Sequence, residues 1–600
     1  MKVLLLHPED NPGTGPWRHL RWDRIVDLGL AGANTYASWN EQSRCPVSTL
    51  SSLRNGFHDF SHIRSLLGAG CGRLVDNYGL DWWEILSLLL TEQLESVILL
   101  QRLAETISAD EVYISRPGFQ ANVLRNLLPD HLQILPVRHN DQSSARHYIR
   151  LARKLSVSQI ADVFCDKYDP GQQLRARFSR TRQRSGHPVV LVPTAYVNVS
   201  RTGIAYANAL PQQKFLLVST RRSGWIKHPP SNVAAAWLSS YATTRDRSVE
   251  LAGMEIRWRA LLKDLLQIPE FEIVNALGFF DRFPQQLRHG LEVRDAWRIL
   301  LDLEPVQAVL CADDSNPYTR IPLLLARERE LPTVACHHGA LDGYYALKRT
   351  YGDVVLAKGR MEQDYLVQRC RVPADKVQIA APTPHPAKTD GTKTDRTKKD
   401  RTQQPLSNAR KQWTRDAFRP QILFISEGYE VGNARAEEFY RDVLPPLAEL
   451  ALHTGRKLIV KLHPAESRNE RVRMVKRVLS LQQMRVTQVV AGALTDALLD
   501  ATWFGVTVLS SVAMECALRS IPCFLCKWLE YSFYGYIDQF IRFGVGIGLN
   551  NPSEIMKIPQ HLETYEADPG VAANCWQPAA ADHLMSLLTS SPRLCATAAT

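Results

Sequence analysis

Two short apolar runs in the sequence each lead into a histidine. Residues 457–462 precede His463, and residues 333–337 precede His338. If both runs are strands, each histidine projects from the carboxyl edge of a sheet, where an imidazole with a pKa near neutrality can serve as a general base or contact an anion. His337 and His338 point to opposite faces because neighbouring side chains alternate along a strand, and we predict that His338 is the functional one.

A pair of serines marks a candidate anion site. Ser510 and Ser511 stand between a predicted strand, residues 507–510, and a predicted helix that begins at Val512. Hydroxyl groups beside the free backbone N–H groups of a helix start suit a phosphate. A serine cap is also ordinary, and His-Pro occurs five times in the chain, so each signal alone is weak. Together, 47 residues apart across one strand–helix–strand stretch, His463 and Ser510 predict a nucleotide phosphate site.

Further residues near these strand ends could assist. Lys461 lies two residues before His463 and could act electrostatically, although its place inside a strand fits a structural role equally well. Glu427 and Gly428 follow the predicted strand 421–426, and the glycine permits the close approach of a ligand. We count Lys461, Glu427 and Gly428 with the nucleotide site.

Acidic residues after other predicted strands offer alternative bases. Asp10 lies in a Gly/Pro-rich loop after the first predicted strand, and Asp23 follows it closely. Asp313 and Asp314 come after the predicted strand 308–311. For this pair we favour helix capping over a metal or base role, because no further ligand stands at a telling spacing. No metal site is predicted.

The rest of the 600-residue chain alternates short apolar runs with amphipathic helical stretches, which predicts parallel sheets in α/β units. The stretch 388–401, KTDGTKTDRTKKDR, has no apolar residue and predicts a solvated linker. We predict an N-terminal acceptor-side α/β region 1–387 with an insertion within 140–300, a linker 388–417, a C-terminal nucleotide-binding domain 418–565 and a tail 566–600.

The composition narrows the class of protein. Hydrophobic residues at 45% and charged residues at 22% are ordinary for a globular chain and exclude wholesale disorder. No apolar run reaches about 18 residues, and the opening MKVLLLHPED is too short for a signal peptide, so we predict a cytoplasmic protein and leave peripheral contact with the inner face of the cell membrane open. The net charge of +11 is spread out, and no nucleic-acid partner is predicted.

The order of these motifs resembles the GT-B fold transferases of bacterial surface-polymer synthesis. A strand ending in His-Gly, a linker, Lys-x-His-Pro and Ser-Ser-Val-Ala-x-Glu follow one another within residues 302–550. The nearest resemblances are the CDP-glycerol glycerophosphotransferases and the sialyl-, polysialyl- and Kdo-type transferases of capsule synthesis. This resemblance implies two Rossmann-like lobes facing a central crevice, with an enlarged N-terminal lobe.

The resemblance also implies roles for the donor site. In such enzymes the His-Pro histidine and the serines contact the nucleotide phosphates, which carries over to His463, Ser510 and Ser511. Glu515 of the same motif is assigned to the donor site as well. The histidine of the His-Gly turn is the proposed base in the glycerophosphotransferases, and the matching residue is His338.

The base can also be an acid of the N-terminal domain, as in the sialyl- and polysialyltransferases. This chain has no clean match to their acidic motif, and Asp10 and Asp23 are the candidates.

The function implied is that of an inverting, metal-independent glycosyltransferase of capsule or other cell-envelope polysaccharide synthesis. It would move a sugar from a nucleotide-activated donor, with a CMP- or CDP-type favoured, to a saccharide or lipid-linked acceptor, and would need no cofactor beyond that donor. Three alternatives stay open: a polyol-phosphate transferase using CDP-glycerol or a similar donor, a nucleotide-sugar 2-epimerase, and a non-catalytic glycan-binding assembly protein.

Overall fold

The structure is a computed structural model in which three parallel sheets follow one another along the chain. It describes residues 1–8, 10–12, 15–30, 32–43, 45–50, 60–107, 109–128, 130, 132–135, 186–243, 245–382, 413–415, 417–429, 435–464, 466–492, 494–531 and 534–589.

The first unit is a five-stranded parallel sheet in the order β3-β2-β1-β4-β5. Its central strands are buried on both faces, as the apolar run of residues 3–6 predicts. The strands are β1 Lys2–Leu6, β2 Arg24–Asp27, β3 Val47–Thr49, β4 Glu111–Ile114 and β5 Leu132–Ile134, and the helices are α1 Ala33–Ser43, α2 Ser61–Gly68, α3 Trp82–Leu86, α4 Thr91–Thr106 and α5 Phe119–Leu127.

The second unit is a seven-stranded parallel sheet in the order β12-β11-β10-β9-β6-β7-β8. The strands are β6 Val189–Thr194, β7 Lys214–Ser219, β8 Val233–Trp237, β9 Val306–Cys311, β10 Thr333–Ala335, β11 Val354–Ala357 and β12 Val377–Ile379. The helices are α6 Val197–Ala209, α7 Ser248–Leu265, α8 Pro269–Ala276, α9 Phe283–Leu303, α10 Pro317–Glu328 and α11 Arg360–Asp364.

The third unit is a six-stranded parallel sheet in the order β15-β14-β13-β16-β17-β18. The strands are β13 Gln421–Ile425, β14 Lys457–Lys461, β15 Thr487–Val490, β16 Thr502–Thr507, β17 Cys523–Cys526 and β18 Ile547–Leu549. The helices are α12 Ala436–His453, α13 Arg468–Val478, α14 Leu481–Val486, α15 Asp496–Asp500, α16 Val512–Ala517, α17 Tyr536–Arg542, α18 Ile558–Thr564, α19 Pro569–Cys575 and α20 Ala581–Thr589.

All three sheets share the Rossmann-type order, in which the chain builds outward in one direction and then returns to build in the other. The reversal lies between β1 and β4 in the first unit, between β6 and β9 in the second, and between β13 and β16 in the third. Ligands of such sheets bind outside the carboxyl ends of the strands at this switch point. Each of the three sheets therefore has one switch point at which a ligand could bind.

The chain returns from the third unit to the second at its end. Trp576 donates its indole N–H to the Pro382 carbonyl at 2.9 Å, and Leu584 and Leu588 are buried in the core of the second unit. These residues belong to the segment 566–600 that the sequence predicts to be a tail. The apolar side chains of α20 bury against the seven-stranded sheet, so much of that segment is part of the packed fold.

The first unit is anchored to both of the others. Arg435, just before α12, donates two hydrogen bonds to the buried Asp27 carboxylate, at 2.6 and 2.8 Å. Glu84 in α3 accepts hydrogen bonds from Arg320 at 2.5 Å and from the Thr350 N–H at 2.8 Å. These buried ion pairs fix the first sheet against the third unit on one side and the second unit on the other.

We expect Arg435→Ala to destabilise the protein by about 3–5 kcal/mol, because it leaves the Asp27 carboxylate buried without its partner. Arg441→Ala is the matched control, since its pair with Glu437 on α12 is exposed and should contribute no more than about 1 kcal/mol. Chemical denaturation of the full chain measures both. Equal effects of the two substitutions would show that the Arg435–Asp27 pair does not hold the first unit in place.

The predicted α/β class with Rossmann-like lobes is confirmed, and the enlargement of the N-terminal region takes the form of a whole additional sheet, β1–β5. The predicted boundaries at 387 and 417 lie outside or beside the described residues and stay predictions, as does the linker between them. The described residues within 186–300 of the predicted insertion belong to the second sheet and its helices, and residues 140–185 lie outside the described part. None of the described helices combines the length and the apolar character needed to cross a membrane.

Candidate functional site

The switch point of the second unit carries a buried tyrosine–aspartate pair. Tyr196 follows β6 and donates its hydroxyl to Asp313, which follows β9, over 2.6 Å. Asp313 also accepts the Ser315 N–H at 3.1 Å. The two strands are neighbours in the sheet although 117 residues separate the two side chains, so the sheet order brings this pair together.

His338 lies beside this pair at the end of β10. Its ring meets the Tyr196 ring edge-on with centroids 5.2 Å apart, and the Tyr196 hydroxyl oxygen is 3.4 Å from His338 Nδ1. Burial lowers the pKa of His338 to about 4, while the Asp342 charge and a hydrogen bond to the Ala312 backbone act in the opposite direction. The imidazole is half-buried and neutral at pH 7, so it is available as a proton acceptor. Its pKa lies below the near-neutral value predicted, because burial disfavours the charged ring, which makes it a weaker base than a free imidazole.

His337 has a local structural role. Its Nδ1 accepts the Gly339 N–H at 3.1 Å, and burial lowers its pKa well below the usual range. The turn is further held by Lys358, whose ammonium donates to the His337 and Gly339 carbonyls at 2.6 and 2.7 Å. The opposite orientation predicted for the two histidines is wrong: both follow the end of β10 at Ala335, and their ring centroids lie 4.4 Å apart.

A network of buried charged side chains lies next to the Tyr196–Asp313 pair. Lys348 donates to Asp314 at 2.5 Å and lies 3.8 Å from Asp342, and Arg320 lies 3.6 Å from Asp314. Lys348, Asp314 and Arg320 are fully buried. Such charges are costly to bury unless paired, and here they fix the strand ends that carry Asp313 and His338.

The pKa of Asp313 lies close to neutrality. The pKa of this carboxyl is raised to about 6: burial is the largest cause, the charges of Asp342 and Asp314 act in the same direction, and the Tyr196 hydroxyl and Lys348 act against it. A carboxyl group that titrates near the pH of the cell is typical of functional sites.

The interpretation of Asp313 and Asp314 as helix-capping residues is wrong. Asn316 caps α10, accepting the Tyr318 N–H at 3.0 Å. Asp313 instead pairs with Tyr196, and Asp314 with Lys348. Sequence reasoning missed Tyr196 entirely, because nothing around it in the chain indicates a partner more than a hundred residues away.

The third unit has its own switch-point carboxylate, Glu427, which clamps the loop after β16. Its Oε1 accepts hydrogen bonds from the Thr507 hydroxyl at 2.6 Å, the Val508 N–H at 3.1 Å and the Leu509 N–H at 2.8 Å. Its Oε2 accepts the Tyr531 hydroxyl at 2.9 Å. With both oxygens engaged and the side chain buried, Glu427 positions the loop that carries the two serines.

His463 lies at the neighbouring strand end, after β14. Its side chain is exposed at the rim, and the Glu466 carboxylate accepts its backbone N–H at 2.7 Å. Surrounding protein lowers its pKa, and the adjacent positive charge of Lys461 lowers it further. Lys461 is buried and donates to the Leu462 carbonyl at 2.7 Å, which gives it a structural role beside an electrostatic one.

Ser510 and Ser511 stand between β16 and α16, as predicted, although the strand ends at Thr507. The Ser510 hydroxyl oxygen accepts the Val512 N–H at 3.3 Å, and Ser511 is exposed. Glu515 is half-buried within the same short helix. β16 and β14 flank β13, so the serine loop and His463 share the carboxyl edge of the third sheet with Gly428.

A tyrosine-rich segment joins the carboxyl edges of the second and third sheets. Tyr531 contacts Glu427, and Tyr536 accepts the Gly343 N–H on its hydroxyl oxygen at 2.9 Å. Tyr534 packs so closely on Gly343 that a Cβ there would lie 2.0 Å from its ring. The turn that follows His338 therefore contacts the third unit.

Asp10 and Asp23 lie in the first unit and are not brought together with His338. Asp10 occupies the switch point of the first sheet, where it forms an ion pair with Arg116 and accepts the Ser115 hydroxyl at 2.6 Å. Asp23 accepts the Lys2 N–H at 2.6 Å, which places it at the amino edge of the same sheet. These contacts do not support the predicted base role of either acid.

Among the described residues, no group of three or more His, Cys, Asp or Glu side chains is arranged to hold a metal ion.

Comparison with known proteins found no matching family model and no matching curated protein. Solved structures do match. They include the UDP-GlcNAc 2-epimerase of Methanocaldococcus jannaschii in complex with UDP-GlcNAc and UDP, at 9% identity and a TM-score of 0.39 over 67% of this chain and 99% of that one. The calicheamicin glycosyltransferase CalG4 matches at 11% identity and 0.35, covering 70% and 98%. MurG of Acinetobacter baumannii matches at 12% and 0.35, covering 67% and 99%. We interpret the site from its own geometry.

Proposed function

We propose that this protein is a GT-B glycosyltransferase that moves a sugar from a nucleotide-activated donor to a hydroxyl group of a saccharide or lipid-linked acceptor. The observation that carries the proposal is the contact between the turn that follows His338 and the third unit. The second unit holds a neutral histidine beside a buried carboxylate, and the third unit holds a histidine and two serines at strand ends. A base on one side and anion contacts on the other suit group transfer between two bound substrates.

The proposed chemistry follows from these positions. The acceptor hydroxyl gives its proton to His338 while its oxygen attacks the anomeric carbon of the donor sugar. The bond from that carbon to the phosphate oxygen breaks, and the nucleotide leaves with the bonding electron pair. His463, Ser510 and Ser511 stabilise the negative charge that develops there. Attack from the face opposite the leaving group inverts the anomeric configuration.

Asp313 and Tyr196 act in this proposal as positioning residues. The carboxylate orients the tyrosine hydroxyl, which in turn lies against the His338 ring. When His338 takes up a proton, the negative charge of Asp342 offsets the imidazolium. The resemblance favours a CMP- or CDP-type donor and a role in cell-envelope polysaccharide synthesis in the cytoplasm, with no further cofactor.

A thermal-shift screen tests the donor. The full chain is heated with CMP, CDP, UMP, UDP or GDP, and the nucleotide that binds the folded state raises the Tm by mass action. A response to CMP or CDP would agree with the proposal, while a response to UDP alone would move the donor to the hexose class. No response to any of the five, with wild-type and His463→Ala chains indistinguishable, would contradict it.

A product assay then separates the reaction classes. A transferase releases free nucleotide and needs the acceptor for full turnover, whereas an epimerase interconverts the nucleotide sugar without acceptor and keeps the nucleotide attached. A polyol-phosphate transferase working from CDP-glycerol would release CMP. A glycan-binding assembly protein would release no nucleotide from any donor.

Activity should fall on the acid side of pH 6. As the pH drops through the raised pKa of Asp313, the carboxylate is protonated and no longer holds the Tyr196 hydroxyl beside His338 as a charged acceptor. We therefore expect kcat/KM to decrease below about pH 6 and to level off at the value of the Asp313→Asn variant. The Asp313→Asn variant should be slower than wild type at pH 7, and its kcat/KM should not decrease as the pH passes through 6. The decrease in kcat/KM that remains in this variant would follow the protonation of His338, near pH 4. An unchanged profile in Asp313→Asn would contradict the positioning role.

A further inference from the structure

One part of the second unit carries only positive charge. Residues 186–245 contain no aspartate or glutamate, although the chain carries 61 of them among 600 residues, roughly one in ten. The same stretch contains six lysines and arginines. It spans α6 and the strands β6, β7 and β8, which lie side by side at one end of the seven-stranded sheet. A stretch of one sign on one side of a sheet creates a field that attracts anions.

Four of these bases lie toward the carboxyl edge, on the side of His338. Arg221, Arg222 and Lys227 are in the loop that follows β7, and Arg201 is in the second turn of α6, which starts after β6. Arg222, Lys227 and Arg201 are exposed. The Arg221 guanidinium lies over the Tyr318 ring, 5.0 Å from its centre. The charge is therefore presented where α/β sheets bind ligands.

The same edge carries a pair of stacked tryptophans. Trp225 follows β7 and Trp237 ends β8, and their rings are parallel within 4° with centroids 4.5 Å apart. Both side chains are half-buried, so part of the stacked pair faces solvent. An aromatic face of this size at a ligand-binding edge offers a platform for the apolar face of a sugar ring.

The loop that carries Trp225 is fixed directly to the turn that carries Tyr196. The Thr220 N–H donates to the Thr194 carbonyl at 2.8 Å, and the Ser223 hydroxyl donates to the Ala195 carbonyl at 3.0 Å. Ser200 donates its hydroxyl to the Gly224 carbonyl at 2.6 Å. The tryptophan pair and the Tyr196–Asp313–His338 group are thus parts of one rigid edge.

The spacing between neighbouring strands gives the distance from the tryptophan pair to Asp313. β8 is three strands away from β9 in the order β9-β6-β7-β8, and neighbouring strands lie about 4.8 Å apart. The tryptophan pair therefore stands roughly 15 Å along the edge from Asp313. An extended oligosaccharide whose terminal hydroxyl reaches His338 would run over β6 and β7 toward Trp225.

An anionic membrane surface is a poorer fit to the same features. Membrane-surface sites insert exposed apolar side chains between lipid headgroups. Among the described positions of 186–245, none is an exposed large apolar residue; the nearest in sequence is Val249. The two tryptophans face each other instead of extending outward.

We propose that this edge is the acceptor subsite and that its ligand is an anionic glycan, bearing carboxylate or phosphate groups. One sugar ring stacks on the Trp225–Trp237 pair, and Arg222, Lys227 and Arg201 pair with the anionic groups. The inference rests on the proposed transferase function and names the class of its acceptor.

The test is direct binding without nucleotide. Wild-type chain is titrated with an oligogalacturonate, a phosphorylated oligomannoside and a neutral maltooligosaccharide, with inorganic polyphosphate and phosphatidylglycerol vesicles as charge-only probes. We expect at least one anionic oligosaccharide to bind about tenfold tighter than the neutral one, and tighter than either charge-only probe. Similar binding of anionic and neutral oligosaccharides, or tighter binding of polyphosphate or vesicles, would overturn the proposal.

Two variants locate the subsite. The double substitution R222E/K227E changes exposed side chains only and should weaken anionic glycan binding by about tenfold or more. Trp225→Ala should do the same while lowering the advantage of sugar over polyphosphate. Lys476→Glu and Trp22→Ala, which lie in the third and first units, are the matched controls and should bind like wild type. Unchanged binding by R222E/K227E would overturn the assignment.

Nucleotide binding distinguishes a failure of this inference from a failure of the proposed function. R222E/K227E should keep the thermal shift with the donor nucleotide, because the third unit is untouched. A chain that binds nucleotide and transfers sugar only to neutral acceptors would refute the anionic subsite and leave the transferase proposal intact.

Discussion

Replacing His338 with alanine is expected to lower turnover by about two to four orders of magnitude, the usual contribution of a general base. The half-buried His338 ring lies beside the Tyr196–Asp313 pair and is neutral at pH 7, so it can accept a proton. Nucleotide release in the presence of acceptor measures the effect. Donor affinity should change little, because the proposed donor contacts are in the third unit.

The control for this substitution is His289→Ala, which removes an exposed histidine from α9 in the same unit. His338→Gln is a second variant to assay, because glutamine keeps a polar side chain but cannot accept the proton. If His338→Gln retains wild-type turnover with an unaltered pH profile, another group is the base. Asp313, with its pKa near neutrality, would be the first to examine.

Replacing His463 with alanine should lower turnover by about two to three orders of magnitude, as expected for the loss of one contact to an anion that forms in the transition state. The side chain is exposed at the rim of the third sheet, so its removal should leave the Tm of the free protein close to that of wild type. The substitution should also reduce the thermal shift produced by the donor nucleotide.

His187→Ala is the matched control, because His187 is also exposed and also precedes a proline, but lies before β6 at the amino end of the second sheet. Unchanged turnover in His463→Ala would refute the assignment of the leaving-group contact. A loss of turnover equal to that of His187→Ala would assign the effect to general perturbation of a His-Pro turn.

Strands and their order of appearance were largely predictable from the sequence. Buried parallel strands are apolar runs, and the runs at 189–192, 215–219 and 308–311 predict β6, β7 and β9 nearly to their ends. Strands of mixed composition give no such run, as in β2 with the sequence RIVD and β8 with VAAAW. The amphipathic stretch 82–107 predicts one helix, whereas the structure breaks it into α3, a 3-10 turn and α4.

The site was predictable only where it is local in the chain. His338 and His463 were found because a strand end and the residue after it are adjacent in sequence. Tyr196 and Asp313 were not paired, because their contact depends on β6 and β9 being neighbours across a reversal of strand order. The role of Glu427 depends in the same way on β13 and β16, and the sequence gives no sign that its carboxylate holds a loop 80 residues away.

The anchoring of the first unit to both others bears on how substrates enter and leave. In two-lobed enzymes the crevice commonly opens by rotation of one lobe about a hinge, and that opening often limits product release. Here such a rotation would have to break either the Arg435–Asp27 pair or the Glu84–Arg320 pair, each largely buried. The first unit therefore ties the second and third units together through buried ion pairs. We expect rotation of whole lobes to contribute correspondingly little to turnover.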